Sequence, residues 1–179
     1  MVPHDLHVCA ALFYYRKDVP MRKIIFSGPN SRKREISTAD IPQLYDELIN
    51  GFPDYWKQGN CSCVFDLFEN DINTKYLFVG FYEELGLYLS YNEYYDAVVG
   101  NINKERVNTR LPRCYPALYD ETQLDKTVDI YCELFVSKGL LLPPRLAWKG
   151  IGYFIAKGEK SPALNWITPD IIPETGNWC

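Results

Sequence analysis

A chain of 179 residues, 47% hydrophobic and 23% charged, has the size and balance of a single soluble domain with one core. Its net charge of −4 argues against a general nucleic-acid binder, whose footprint is basic, and no apolar run approaches the roughly 18 residues of a membrane-spanning helix. The only histidines are His4 and His7, so histidine-based catalysis is excluded from residues 8–179, and aromatic residues, at 15%, are the compositional outlier.

Near the N-terminus, Val8–Tyr15 is a continuous apolar run with Asp5 before it and Arg16 and Lys17 after it. A secretory signal has the opposite order, basic residues first and a small-residue cleavage site last, so export is not expected. Residues 1–20 read either as an extension to a domain beginning near Met21 or as an extra edge strand over 8–15. Residues 1–35 hold seven bases and three acids, net +4, which leaves −8 for the remainder.

Met21–Ser27 is strand-like and turns at Gly28-Pro29-Asn30. Asp40 and Gln43 form a capping-box pattern, and Ile41, Leu44 and Leu48 make the apolar face of a first helix that ends at Asn50-Gly51. From residue 61 the period becomes two. Cys63, Phe65 and Leu67 share one side; Leu77, Val79 and Phe81 follow after a turn at 70–73, then Leu87, Leu89 and Tyr91, then a segment Tyr94–Val99. Connections this short demand antiparallel neighbours. A second helix is predicted over 120–139 from the Asp120/Gln123 capping pattern, the spacing of Leu124, Val128, Tyr131 and Phe135, and a stop at Gly139. Pro143-Pro144 then leads to a short strand, Arg145–Trp148, and residues 159–179 read as an irregular tail after a domain spanning 21–158. The predicted class is α+β: a mostly antiparallel meander with two principal helices on one face.

Six cysteines (Cys9, Cys61, Cys63, Cys114, Cys132, Cys179) are sparse beside a full-sized core. Cys61 and Cys63 would point the same way along one strand, and the expected state is free thiols in a reducing cytoplasm.

The catalytic inventory is thin. There is no H-x-E with C-x-x-C for a zinc deaminase, no G-x-S-x-G, no G-x-G-x-x-G and no Walker loop. His4, His7 and Cys9 could in principle ligate a metal, but they read as part of a terminal segment. No catalytic residue, metal or cofactor is predicted. What exceeds background is a surface signal. Residues 66–103 carry Asp66, Glu69, Asp71, Glu83, Glu84, Glu93 and Asp96 against a single base, Lys75, together with six tyrosines that include Tyr94 and Tyr95. The predicted second helix adds Glu121, Asp125, Asp129 and Glu133 at four-residue spacing, an arrangement that repels within a helix. An acidic field with tyrosines suits a basic protein partner: charge steers the encounter, and rings bring area with few rotors to freeze. The same residues would equally serve as a solvated face with half the tyrosines in the core.

Tyr76-Leu-Phe-Val-Gly-Phe-Tyr82 leading to Gly86-Leu-Tyr-Leu-Ser-Tyr91 resembles the central hairpin of immunity protein family one of bacterial polymorphic-toxin systems. Pro116–Asp120, Phe135–Gly139, Pro143-Pro144 and Leu146-Ala-Trp148 are similar to its later motifs, over residues 22–149 in all. The stretch Gly139–Pro143 is more apolar than the family's usual link, and about thirty residues follow Trp148 where members often stop. The resemblance implies a cytoplasmic, non-enzymatic inhibitor that occludes a cognate toxin C-terminal domain, a nucleic-acid deaminase or nuclease, as in contact-dependent inhibition. It implies no direct nucleic-acid or membrane contact. Charge and aromatic placement, independently of the family, nominate Asp66, Glu69, Glu83, Glu84, Glu93, Tyr94, Tyr95 and Asp96 as the toxin-binding residues. The alternatives are a small-molecule-binding domain and a carboxylate-based hydrolase.

Overall fold

Alternation of apolar and polar residues builds most of the molecule as one antiparallel sheet. The computed structural model describes residues 21–100, 106–129 and 135–176. The strands are β1 (Arg22–Ser27), β2 (Lys33–Ile36), β3 (Ser62–Glu69), β4 (Ile72–Tyr82), β5 (Gly86–Gly100), β6 (Arg106–Leu118), β7 (Thr127–Asp129), β8 (Phe135–Ser137), β9 (Leu141–Leu142) and β10 (Asn165–Trp166). The main sheet has the order β10-β6-β5-β4-β3-β1-β2, with β9 beside β5, while β7 and β8 form a separate pair. The predicted meander is β3-β4-β5, and its last two segments are one strand. Asn70 and Asp71, both with positive φ (50° and 64°), make the two-residue turn between β3 and β4. Gly86, at φ 119°, starts β5 where a Cβ would meet the Leu142 carbonyl oxygen of β9.

Register assigns each face. Phe26, Phe65, Leu77, Tyr91 and Tyr115 form one rung across five strands, and both helices pack on this side. The adjacent rung, Ile25, Asp66, Tyr76, Asn92 and Cys114, points the other way. The predicted class, an antiparallel sheet with two helices on one face, is the one observed.

The first helix comprises a 3-10 turn (Thr38–Asp40), α1 (Ile41–Tyr45) and a π turn (Asp46–Asn50). Its capping box lies three residues earlier than expected. Ser37 Oγ accepts from Ala39 N at 3.2 Å and Asp40 Oδ2 accepts from Ser37 N at 2.7 Å. That bond holds the Asp40 carboxyl below its usual pKa, while Gln43 donates to Glu47 instead.

The second helix is not at 120–139. Asp120 does cap, accepting from Thr122 N at 3.0 Å, but it closes only a 3-10 turn, Glu121–Gln123. The chain then extends into β7, which pairs with β8. Leu124, Val128, Val136, Leu140 and Leu141 form a second core over Phe78 and Tyr88 on the sheet's other face. Pairing with β8 overrides the helical pattern, and β-branched Thr127 and Val128 suit a strand. Tyr131 and Glu133 lie outside the described residues. The row Glu121, Asp125 and Asp129 is therefore not a helical stripe. Gly139 is not a helix stop; it is buried against Asp120, whose backbone N–H donates to its carbonyl.

The real second helix, α2 (Pro144–Lys157), occupies the place read as a short strand. Pro144 sits in its first turn, where the missing N–H costs nothing. Ala147, Ile151, Phe154 and Ile155 bury one stripe, and Gly158, left-handed at φ 69°, donates its N–H to the Phe154 carbonyl to end it. Beyond it, β10 pairs with β6, Trp166 packs edge-on to Tyr91, and Ile167 and Ile172 are buried.

The cysteines also depart from expectation. Cys61 and Cys63 take part in no disulfide, whereas Cys114 is disulfide-bonded.

Candidate protein-docking face

One half of the sheet's second face lies under the second core. The other half, from β1 to β4 and along the end of β5, carries half-buried Ile25, Val64, Phe68, Tyr76 and Tyr94 without a helical layer among the described residues. A bulge creates this geometry. Leu67 pairs with Lys75 but Phe68 pairs with Asn73, so Thr74 is the extra residue, and the β4–β5 pairing ends beside it at Lys75. From Tyr94 onward β5 pairs only with β6 among the described residues, and the two continue as a two-stranded ribbon.

Polar groups gather where sheet and ribbon meet. Asn73 Nδ2 donates to Asp66 Oδ1 at 2.9 Å, and its own Oδ1 is buried with no hydrogen-bond partner among the described residues. Arg110 donates to the Asn73 carbonyl at 3.0 Å, lies over the Tyr94 ring at 5.3 Å, and approaches Asp96 at 3.7 Å. Tyr76 and Tyr94 have ring centroids 5.6 Å apart. Partial burial, then the neighbouring Tyr94 and Asp66, push the Tyr76 hydroxyl above its usual pKa, so it stays a neutral donor. Asp96 is 93% exposed. The buried polar residues of this face, Ser90 and Asn92, satisfy one another: Asn92 Nδ2 donates to Ser90 Oγ at 2.8 Å.

The eight residues nominated from sequence are not one patch. Asp66, Tyr94 and Asp96 share the open face. Glu93 and Tyr95 project from the opposite face, as strand alternation requires. There Glu93 stands between Lys75 and Arg113 in register, and Arg113 lies over the Tyr95 ring at 5.0 Å. Glu69 ends β3 opposite Arg22. Glu83 and Glu84 form the β4–β5 turn. Glu83 is eight residues along β4 from Lys75, the partner of Glu93, a separation of about 26 Å at roughly 3.3 Å per residue. Lys57 pairs with Glu83 at 2.6 Å.

Sequence reasoning missed Arg110, Asn73 and Phe68. Arg110 and Arg113 lie just past the acidic window, on a strand that was not foreseen, so their register with Asp96 and Glu93 of β5 was hidden. The alternation of Arg106–Leu118 is broken by Pro112 and Pro116, which lie before Ala117 and Leu118, where β10 joins, on a stretch of β6 whose strand register is with β5. Among the described residues no group of three or more His, Cys, Asp or Glu could hold a metal, and no helix is long and apolar enough to cross a membrane. His4, His7 and Cys9 lie outside the described residues.

No family model, no curated protein and no solved structure matches this chain. The likeness to immunity protein family one rests on the quoted motifs alone.

Proposed function

We propose that the chain is an immunity protein that works by covering a basic, nucleic-acid-directed toxin domain, without chemistry of its own. The observation that carries this reading is that Asp66, Tyr76, Tyr94 and Asp96 share a half-face with no helical layer over it among the described residues. Two carboxylates meet the cations with which such a toxin holds phosphates, and two rings supply buried area at low entropic cost. Phe68 and Val64 extend the apolar floor. Arg110 keeps the acidic spot from being uniformly negative, which favours a partner with an ordered charge pattern over any polycation. Glu83 and Glu84, at the far turn, drop out of the contact set. A cytoplasmic site of action belongs to the same proposal. The Cys114 disulfide is the observation against it, because disulfides persist mainly in oxidising compartments.

The test is co-expression of the full chain with the toxin C-terminal domain encoded by the adjacent upstream gene. Asp66→Lys with Asp96→Lys, and separately Tyr94→Ala, should abolish or strongly weaken capture and protection. Glu83→Lys with Glu84→Lys should leave both intact. The reverse pattern would reject this face, and turnover of a substrate by the isolated chain, lost on changing one carboxylate, would reject inhibition by covering.

A further inference from the structure

On the helical side of the sheet, at the opposite edge from the ribbon, the β1–β2 hairpin and the segment after the first helix enclose a cavity of about 190 Å³. Phe26, Asn30, Arg32, Arg34, Glu47 and Tyr55 line it. Arg32 and Arg34, two apart on β2 and its lead-in, point to the same side as the buried Ile36. Gly28 makes room for the third wall: a Cβ there would stand 3.1 Å from the Tyr55 hydroxyl and 3.4 Å from the Phe26 ring.

The chemistry is lopsided. Arg34 spends one donor on Glu47 Oε2 at 2.7 Å and lies over the Phe26 ring at 5.4 Å. Its other guanidinium donors, the whole guanidinium of Arg32 and the half-buried Tyr55 hydroxyl have no acceptor among the described residues. Asn30 Oδ1 is already occupied, accepting from Arg32 N at 3.1 Å, which leaves its amide hydrogens as further donors. The single carboxylate, Glu47, is shared between Arg34 and Gln43. Burial keeps the Tyr55 hydroxyl protonated, with a pKa raised to about 12, so it is a donor at any physiological pH. Convergent donors with a net positive charge call for an acceptor-rich anion, and paired guanidinium forks match the oxygens of carboxylate or phosphate. The volume lies below the roughly 300 Å³ at which drug-sized sites begin, which selects a compact group.

We infer that this cavity binds the oxyanion group of a small molecule, a carboxylate or a phosphate monoester, held between Arg32 and Arg34 and closed on one side by the Tyr55 hydroxyl. The site is separate from the docking face and does not depend on it. Glu47 sets its strength, because it competes with the anion for Arg34.

The experiment is a titration of the full-length protein with inorganic phosphate, and in parallel with acetate, at constant ionic strength, following the amide resonances of Ser31, Arg32 and Arg34. Saturable shifts with phosphate assign a phosphate monoester; saturable shifts with acetate alone assign a carboxylate. Arg32→Gln should weaken the binding about tenfold or more and Tyr55→Phe about fivefold. Glu47→Gln should tighten it severalfold, an effect that loss of a merely structural ion pair would not produce. Linear, non-saturating shifts with both anions, or an affinity indifferent to Arg32→Gln, would overturn the assignment.

Discussion

The indole Nε1 of Trp56 donates to the Leu48 carbonyl at 2.9 Å, fastening the segment after the first helix to the helix's own last turn. The bond satisfies one of the carbonyls that every helix end leaves unpaired. The same ring stacks on Phe81 of β4, with centroids 6.0 Å apart and planes 6° from parallel. Trp56 is fully buried, so one side chain joins helix, loop and sheet. Trp56→Ala should cost about 3–5 kcal/mol in urea unfolding. Trp56→Phe keeps a ring but orphans the Leu48 carbonyl and should cost roughly 1–3 kcal/mol. A Phe variant as stable as the parent would show that the hydrogen bond contributes nothing.

Two glycines of α2 should answer oppositely. A Cβ at Gly150 would stand 2.7 Å from both Leu89 Cδ2 and Leu164 Cδ1, whereas at Gly152 the nearest atoms belong to Trp148 at 3.4 Å. Gly150→Leu therefore overpacks the helix–sheet seam and should destabilise by about 1–3 kcal/mol. Gly152→Ala gains helix propensity with only ordinary van der Waals contact to Trp148 and should stabilise by up to about 1 kcal/mol. Melting temperatures of the pair decide it; equal changes of one sign would contradict the packing described for this helix.

Alkaline pH should unfold the protein through its tyrosines. Burial is the first cause of the raised pKa at Tyr55, Tyr88 and Tyr91. For Tyr55 the folded value is about 12 against an ordinary 10. The unfolded chain therefore releases that proton first, and stability is complete below pH 10 and declines as pH climbs towards 12. Urea midpoints measured from pH 8 to 11.5 should fall at the upper end, and Tyr55→Phe should make the fall shallower. A midpoint that rises over this range would be inconsistent with the assigned burial.

Thiol counting tests the cysteine state. A disulfide at Cys114 takes two of the six cysteines, so chain denatured without reductant should titrate at most four thiols and chain reduced beforehand six. Six thiols without reductant would return the protein to the all-thiol state expected of a reducing cytoplasm.

The hairpin β3–β4 and the core side of β5 were legible residue by residue, because alternation about a half-buried sheet leaves little choice of face or register. Of the nominated residues, Asp66, Tyr94 and Asp96 share one face of the sheet, and the even spacing of Tyr94 and Asp96 along β5 already placed those two on one side. The segment 120–139 was misread because Leu124 and Val128 satisfy a helical spacing as well as a place in a packed extended pair; Asp120 caps a turn in either case. Arg145–Trp148, read as a short strand, was misread in the other direction, by treating Pro143-Pro144 as a barrier when proline is also a good first residue of a helix. Composition, alternation and local capping are properties of neighbours in the chain, and those the amino-acid order settled unaided: an α+β molecule built on an antiparallel meander. Which acids face each other, which are paired with Lys57 or Arg110, and which half of the sheet the second core covers depend on contacts between residues far apart in sequence, whose energies no local pattern encodes, and only the folded arrangement decided them.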